Sequence, residues 1–335
     1  MTVGIVDLGV YSPAGVQSAE EIAALSEIPA DVIRDRFGLT GKHIAGDAEH
    51  ASDLAARAAA PILARHPGRI GAVVYMGSPY KDFPVWGAGP KVQQLLGGAA
   101  AGALAFDVQG NSGGAPIALK VGKALLQDDP SLGQVLLAAG SREHDLIDYT
   151  NQRSRFMFTF GAGGAAVLLR AGHDANLVLE TAGFTDGSFA DDVMVPAGGS
   201  REPATVETVR ARRHYLDVRD PQAMKERLDP VSAANFVRVA REAVERSGCR
   251  VGDIALLCTI HTKRSLFLKV LEGLGLAEDR AVYLSDHGHM SAVDPLFGLH
   301  RARAEGRLHD GDLVVLLAAG TGYSWSATAV RWGRA

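Results

Sequence analysis

Short apolar runs alternate with amphipathic stretches along the chain. Residues 69–79 and 135–141 are apolar runs of strand length that end in small or polar residues. Residues 52–66 and 230–247 instead carry their apolar side chains at helical spacing, with charged residues between them. Apolar runs of this length predict buried strands, and the helical spacing predicts helices with one buried face. The alternation therefore predicts an α/β fold of layered helices and sheets rather than an all-β fold.

The pattern occurs twice. Residues 135–141 (VLLAAGS) and 315–321 (VLLAAGT) share six consecutive residues, and each run ends at a small-residue turn. Residues 69–79 and 250–261 form a second pair, because both are apolar strands with a basic first residue and a polar turn at the end. Matching segments in matching order indicate an internal duplication. We predict two similar halves, residues 1–172 and 173–335, with helices buried between their sheets.

A candidate nucleophile lies in the first half. The run LAFDVQGNSGG at 104–114 predicts a strand that enters a glycine-rich turn, and this turn presents Ser112 at the start of the helix predicted for 116–126. Free N–H groups and the positive end of the macrodipole at a helix start favour an anion beside Ser112. A serine hydroxyl is a weak nucleophile at neutral pH, so Ser112 needs a base elsewhere in the chain.

Two other interpretations of Ser112 use the same residues. Serine before a helix is a common N-cap, and Pro116 is tolerated in a first turn. The run GNSGG also satisfies G-x-S-x-G, the nucleophile elbow of α/β-hydrolases. The hydrolase fold has no duplicated halves, however, and no HGGG-type oxyanion segment precedes this serine.

Two histidines of the second half follow predicted strands, and we take them as the candidate bases. They are His261 in CTIHTKRSLF and His289 in SDHGHMSAVDP. Asp294 lies five residues after His289, so a loop that folds back would place its carboxylate on the imidazole and orient it. Ser112, His289 and Asp294 would then form a catalytic triad. The alternative for Asp294 is an N-cap role, because Pro295 and an amphipathic segment follow it.

Composition and charge exclude several classes of partner. The chain has 335 residues, 47% of them apolar, and a formal net charge of −4. This charge creates no field that would attract nucleic acid or an anionic membrane. Apolar runs stay well below the roughly 20 residues of a membrane span, and the first residues resemble a strand rather than a signal peptide. The two cysteines have no metal-binding spacing. We therefore predict a cytoplasmic protein without a metal or a resident cofactor.

Taken together, the segments resemble the thiolase superfamily, most closely its 3-oxoacyl-acyl-carrier-protein synthase III group. Residues 36–45 (RFGLTGKHIA) are similar to the family's early R-T-G-I segment, and residues 106–114 are similar to its nucleophile segment. Residues 160–169 and 311–332 are similar to the segments that close the family's two halves. The resemblance implies a thiolase-like fold, in which two duplicated halves form five layers in the order α-β-α-β-α.

The departures from the family pattern concern its chemistry. Ser112 stands where the family carries cysteine in a run like A-C-S-G. His261 matches the family's catalytic histidine, but H-Q-A-N is here HTKR, and His289 replaces the asparagine of G-N-T-S. The condensing enzymes use that histidine and asparagine to hold the thioester oxygen while malonyl loses carbon dioxide. The combined changes resemble an offshoot of polyketide and other secondary pathways, which moves acyl groups or selects starter units.

The resemblance and the predicted triad together suggest an acyltransferase. His289, oriented by Asp294, would deprotonate Ser112, which would accept an acyl group from a coenzyme A or acyl-carrier-protein thioester. The family pattern implies that backbone N–H groups of Ser112 and near Ala319 face the oxyanion, and that His261 serves the oxyanion or the acceptor. An alcohol or amine acceptor makes the enzyme an acyltransferase, whereas a malonyl carrier makes it a priming ketosynthase. The third alternative is a non-catalytic partner subunit.

The resemblance also bears on the thioester donor and on assembly. Relatives that use coenzyme A commonly stack its adenine on a tryptophan, and Val32 takes that place here. Arg36 and either Arg153 or Arg155 are the tentative contacts for the pantetheine thioester, with solvated surface arginines as the alternative. A carrier-protein donor is therefore a second possibility beside coenzyme A. Family members generally form homodimers through the strands beside the nucleophile segment, and we expect the same here.

Overall fold

A computed structural model describes residues 1–334 of the chain. The strands are β1 (Val3–Tyr11), β2 (Gly15–Ser18), β3 (Gly41–Ile44), β4 (Ala72–Tyr75), β5 (Leu104–Asp107), β6 (Gln134–Ser141), β7 (Gly163–Ala171), β8 (Ala175–Thr185), β9 (Val193–Met194), β10 (Asp217–Val218), β11 (Ile254–Thr259), β12 (Ala281–Val282), β13 (Leu313–Gly320) and β14 (Ser324–Arg334). The helices are α1 (Ala19–Ser26), α2 (Ala30–Asp35), α3 (Ala51–Arg65), α4 (Ala88–Leu96), α5 (Gly114–Asp128), α6 (Val206–Arg210), α7 (Pro221–Arg246), α8 (Arg264–Leu274) and α9 (Asp294–Ala304).

The main sheet has two parts with the same strand order. Its 10 strands run β5-β4-β6-β7-β1 and continue as β8-β14-β13-β11-β12. If the strands of this sheet are numbered within each half of the chain, both parts have the same order from the middle outward: first, fifth, fourth, second, third. The two parts join where Gly4 of β1 pairs with Leu177 of β8, in antiparallel orientation. The division into halves at residue 172 stays a prediction, and this repeated order supports it.

Side chains of the sheet alternate between two layers of helices. Leu137 of β6 and Leu316 of β13 face inward and share one core with α5 and α9. The neighbouring residues point outward: Leu136 packs with α3 and α4, and Leu317 packs with α7 and α8. Period-two alternation in the two parts of the sheet, with helices on both faces of each part, produces five layers with α5 and α9 in the central one. The predicted thiolase-like α/β fold is therefore confirmed.

Glycines allow α3 to lie directly on the sheet. Gly9, Gly140 and Gly164 occupy β1, β6 and β7, which are neighbours in the sheet. A Cβ atom on any of them would overlap a backbone carbonyl oxygen of α3. The oxygens belong to Ala58, Ala51 and Leu54, respectively. Because these are backbone atoms of a regular helix, a side chain there forces the helix away from the strands.

The turns that follow β5, β11 and β13 meet between the two halves. Residues 110–113 follow β5 and contact the end of β13, where a Cβ atom on Gly320 would lie 2.9 Å from the Gly113 nitrogen. His261 follows β11, and the loop between β12 and α9 contains His289. Carboxyl-terminal strand ends are where α/β proteins place their functional loops.

Two kinds of feature are absent from residues 1–334. One is a helix that is both long and apolar enough to cross a membrane. The other is a group of three or more His, Cys, Asp or Glu side chains placed to hold a metal ion. Both cysteines are free thiols, and Cys258 is completely buried in the inner core.

Substitution of Gly164 tests the close approach of α3. We expect Gly164→Ala to lower the free energy of unfolding by about 1–3 kcal/mol, because the added methyl group overlaps the Leu54 carbonyl oxygen. Urea unfolding followed by circular dichroism measures this loss. Gly252→Ala is the matched control, since its Cβ meets no atom within 4 Å, and we expect a change below about 1 kcal/mol. Equal stability of the two variants would contradict the proposed packing constraint.

Candidate active site

Ser112 lies in the short turn Asn111–Gly113 that connects β5 to α5. Its Oγ atom is 2.7 Å from Nε2 of His289. The residue directly before α5 is Gly113, which makes no side-chain capping bond. The N-cap interpretation of Ser112 is therefore wrong, because its hydroxyl bonds to an imidazole of the other half instead of to the helix.

Backbone hydrogen bonds hold His289 from both sides. Its N–H donates to the Thr159 carbonyl at 2.9 Å, and its carbonyl accepts from the Gly161 N–H at 2.9 Å. The imidazole is buried, with its ring centroid 4.9 Å from that of Phe160 in an edge-on arrangement. Its Nδ1 atom lies 2.6 Å from Oδ2 of Asp294. These contacts fix both the position of His289 and the plane of its ring.

The Asp294 carboxylate is completely buried and accepts three hydrogen bonds. Oδ2 accepts from His289 Nδ1 and from the His261 backbone N–H at 2.8 Å, and Oδ1 accepts from the Met290 N–H at 2.7 Å. The N-cap interpretation of Asp294 is wrong, because Asp294 is the first residue of α9 and its backbone donors lie upstream of the helix. All three bonds instead orient the carboxylate toward the imidazole.

These contacts determine the tautomer of His289. A carboxylate only accepts hydrogen bonds, so Nδ1 carries the proton and Nε2 presents a lone pair to the Ser112 hydroxyl. Burial by itself would lower the pKa of His289, but the negative charges of Asp294 and Glu143 outweigh it, and the pKa is raised above its ordinary value. An imidazolium formed by proton transfer from Ser112 is therefore stabilised. The three side chains of the predicted triad form one hydrogen-bonded chain.

His261 has a different environment. Its Nε2 atom lies 3.2 Å from the Phe37 carbonyl oxygen, so Nε2 carries the proton. Burial lowers the pKa of His261 to about 4, which leaves the ring neutral near pH 7. Nδ1 is then an acceptor, and it has no hydrogen-bond partner among residues 1–334. In this arrangement His261 has no free N–H to offer a thioester or enolate oxygen.

The segment predicted to complete the oxyanion site lies against the nucleophile turn. Ala319 is nearly buried at the end of β13, where it pairs with Trp325 of β14. The next residue, Gly320, contacts the backbone of Gly110 and Gly113. The oxyanion role of the Ser112 and Ala319 backbones stays a prediction.

The arginines proposed for the thioester donor lie at the surface of the protein. Arg36 and Arg155 are exposed. Arg153 is exposed as well, and its guanidinium bonds to Asp217 at 3.2 Å, to the Arg219 carbonyl at 2.8 Å and to the Val218 carbonyl. Their roles in donor binding stay predictions.

Lys42 near the site was not anticipated from the sequence. Its side chain in β3 is completely buried, and Nζ donates to the carbonyls of Phe158 and Phe160 at 2.8 and 2.6 Å. Burial lowers the pKa of Lys42 to about 7. Phe160 in turn pairs with His289 in an isolated β-bridge. The hydrogen bonds of Lys42 therefore hold in place the segment 158–160, which contacts the histidine. The sequence gives no signal for this burial, because lysine is almost always exposed.

Glu143 was also not anticipated. It is nearly buried just after β6 and accepts a hydrogen bond from the Ser141 hydroxyl. Its charge is one of the causes that raise the pKa of His289. The only sequence signal is its position two residues after the predicted strand 135–141, and surface loops begin in the same way.

Comparisons with known proteins agree with this architecture. A family model described as 3-oxoacyl-[acyl-carrier-protein] synthase III matches residues 106–187, and the model for the C-terminal part of that enzyme matches residues 244–332. The beta-ketoacyl-[acyl-carrier-protein] synthase III of Symbiobacterium thermophilum is 30% identical over 99% of this chain and 98% of its own length. The first matched region contains the nucleophile turn, and the second contains both histidines.

Solved structures are similar over almost the whole chain. The 3-oxoacyl-(acyl carrier protein) synthase III of Pseudomonas aeruginosa PAO1 has a TM-score of 0.85 at 27% identity, covering 99% of this chain and 98% of its own. The priming beta-ketosynthase of the R1128 polyketide pathway has a TM-score of 0.83 at 21% identity, covering 99% and 96%. That second similarity shows the fold alone. The resemblance predicted from the sequence is confirmed, and the chain belongs to the 3-oxoacyl-[acyl-carrier-protein] synthase III family of the thiolase superfamily.

Proposed function

We propose that the protein is an acyltransferase that passes an acyl group from a coenzyme A or acyl-carrier-protein thioester through an acyl-Ser112 ester to an acceptor. The observation that carries the proposal is the hydrogen-bonded chain from Ser112 through His289 to Asp294. Ser112 stands where the family pattern has cysteine, and His289 stands where it has asparagine. A serine requires such a base, whereas a cysteine is partly ionised by itself.

Acylation follows from the positions of the protons. Nε2 of His289 removes the Ser112 proton as Oγ attacks the thioester carbonyl carbon. The carbon–sulfur bond then breaks, and the imidazolium returns the proton to the leaving thiolate. Asp294 keeps Nδ1 protonated and stabilises the imidazolium during this step. The products are an acyl-serine ester and a free thiol, and the step uses no metal or cofactor.

Transfer repeats the same proton movements with a new nucleophile. His289 removes the proton of an acceptor hydroxyl or amine, which attacks the ester carbonyl and releases Ser112 in its protonated form. Backbone N–H groups of Ser112 and Ala319 are the proposed oxyanion donors in both steps, and loss of one such donor typically costs about 3 kcal/mol. The tautomer of His261 favours transfer over condensation, because that ring offers no free N–H to an enolate oxygen.

A priming ketosynthase is the second candidate function. The name of the 30% identical relative, beta-ketoacyl-[acyl-carrier-protein] synthase III, favours condensation of the acyl group with a malonyl carrier. Release of carbon dioxide from malonyl carrier protein in the presence of the acyl-enzyme identifies this reaction. Acylation followed by release to an alcohol or amine, without carbon dioxide, identifies the acyltransferase.

The remaining predictions concern the thioester donor and the cellular location. Val32 is half-buried and lacks the aromatic surface for adenine stacking, which supports an acyl-carrier-protein donor. Arg36 and Arg155 are the exposed cations that stay available for a thioester donor. The predicted cytoplasmic location stays a prediction.

Intact-protein mass spectrometry tests the proposed intermediate. We expect a panel of short acyl-coenzyme A and acyl-carrier thioesters to add one acyl mass to the wild-type protein and none to Ser112→Ala. In Ser112→Cys the same base faces a thiol, so we expect an adduct that neutral hydroxylamine removes, as it does a thioester. The wild-type oxygen ester should resist that treatment.

Two outcomes would contradict the acyl-Ser112 mechanism. One is an adduct that persists in Ser112→Ala, which places the acyl group on another residue. The other is the absence of an adduct with every donor, which favours the non-catalytic partner subunit. Ser131→Ala, at an exposed turn, is the control and should be acylated like the wild type.

The pH dependence of acylation tests the base. Nucleophile activation needs neutral His289, whose pKa is raised, so we expect the acylation rate to rise with pH through a midpoint above about 6.5. In Asp294→Asn the negative charge is gone, so the midpoint should move to lower pH. The maximal rate should fall by about 10²–10⁴-fold, because the imidazole loses its orientation and its charge partner.

Asp279→Asn is the matched control for charge removal. Asp279 is exposed and lies outside the site, so the pH–rate profile of this variant should coincide with that of the wild type. An unchanged profile in Asp294→Asn would exclude Asp294 as the partner of the base.

The expected homodimer is tested at the sheet edge. β5 is the outermost strand of its half, and Leu104 at its start is 57% exposed. We propose that this edge pairs with a second copy of the chain, so Leu104→Glu should shift the sedimentation coefficient from dimer to monomer. Leu268→Glu changes a leucine that is 41% exposed on α8 and should leave the dimer intact. A wild-type monomer at micromolar concentration would contradict the proposal.

A further inference from the structure

Asn111, directly before the nucleophile, joins the two halves through its side chain. Its Nδ2 atom donates to the Thr321 carbonyl at 2.8 Å and to the Thr321 hydroxyl at 3.0 Å. Thr321 directly follows β13, which ends in Ala319 and Gly320. One carboxamide therefore connects the turn that presents Ser112 with the chain that carries the second proposed oxyanion donor.

Other contacts at this boundary anchor neighbouring parts of the turn. The Ser326 hydroxyl donates to the Gly113 carbonyl at 3.1 Å, and Gly320 lies against the backbone of Gly110 and Gly113. These contacts hold the turn before α5 against β13 and β14. The bonds of Asn111 act on the residue directly before Ser112 and reach the loop beyond β13.

The residue type at this position departs from the family pattern. A run like A-C-S-G has alanine before its nucleophile, and alanine has no side-chain donor. Asn111 adopts a left-handed backbone conformation with φ of 48°. Asparagine tolerates this conformation better than most residues, and glycine adopts it without strain. The backbone alone therefore does not require a carboxamide, whereas the two bonds to Thr321 do.

We infer that Asn111 is a positioning residue that fixes the distance between the Ser112 turn and the Ala319–Thr321 segment, and with it the geometry of the oxyanion site. The inference rests on the proposed acyl-Ser112 mechanism. In acyl transfer the negative charge develops on an oxygen that both backbone segments must reach together. Donors stabilise this charge only when they are held in place before the reaction, and a displacement of about 1 Å costs about 10²-fold in rate.

The test separates the carboxamide from the backbone conformation. Asn111→Gly keeps the left-handed turn and removes both bonds, and Asn111→Asp keeps the shape but replaces the donating nitrogen by an oxygen. We expect both variants to lower kcat for acylation by about 10-fold or more, with KM within twofold of the wild type, because ground-state contacts to the donor are unchanged. The probe is p-nitrophenyl acetate, whose attack by Ser112 releases a coloured product in a burst.

Substitutions of Thr321 provide the matched set. Thr321→Val removes one of the two acceptors and should cause a smaller loss than Asn111→Gly. Thr321→Ser keeps the hydroxyl that accepts this bond and should behave like the wild type. In the double variant Asn111→Gly/Thr321→Val, the loss should equal that of Asn111→Gly alone, because the bond to the hydroxyl is already absent. Circular dichroism of each variant verifies that it is folded.

Failure of this inference is distinguishable from failure of the proposed function. A wild-type burst that is retained in Ser112→Ala overturns the acyl-Ser112 mechanism and the inference together, and so does the absence of any burst. A burst that requires Ser112 and is equally fast in folded Asn111→Gly and Asn111→Asp overturns the inference alone. A loss in Asn111→Asp without a loss in Asn111→Gly does the same, because it traces the effect to the new charge.

Discussion

The arrangement of the candidate site depends on one buried carboxylate. Asp294 accepts hydrogen bonds from the end of β11, from the loop before α9 and from the His289 ring. Three donors satisfy a charge that would otherwise be costly to bury. Because two of the donors are backbone N–H groups, the carboxylate holds the chain at His261 and Met290 as well as the imidazole. We therefore expect loss of this charge to affect both the candidate base His289 and the loop that carries it.

The layered fold brings His289 and Asp294 to the candidate nucleophile Ser112. Helices α5 and α9 pack together in the inner core. Ser112 lies just before α5, and it therefore meets His289 in the loop that precedes α9. Close backbone contacts complete the arrangement, since glycine at positions 113 and 320 lets the turn of one half touch the strand end of the other. Side chains at these positions would separate the hydroxyl from its base. On the outer face, glycines of the strands likewise let the backbone of α3 lie directly on the sheet.

Within the family architecture, the residue changes at the site depend on one another. A cysteine nucleophile is readily ionised, whereas serine needs a base with a defined tautomer. His289 supplies the lone pair, and Asp294 fixes which nitrogen carries it. Asn111, in the position of an alanine, links the turn that carries Ser112 to Thr321. The proposed transfer chemistry accounts for all four residue types, while the fold shared with condensing enzymes accounts for none of them.

The sequence by itself determined the fold class, which is confirmed, and it identified the turn at Ser112. Both depend on neighbouring residues: period-two and helical patterns, glycines beside a strand end, and two halves with similar segments. It also indicated that Asp294 can reach His289, because it lies only five positions later in the sequence. Neither N-cap alternative was excluded, since a cap and a nucleophile have the same local signature.

Only the tertiary structure decided which distant side chains meet. Ser112 and His289 are 177 positions apart, and Asn111 and Thr321 are 210 apart. The burial of Lys42 likewise depends on the segment at 158–160 that covers it. Contacts of this kind arise when two separately patterned halves pack together, and local periodicity contains no information about that packing. The sequence thus specified the elements and the candidate chemistry, and the packing of the halves selected the partners.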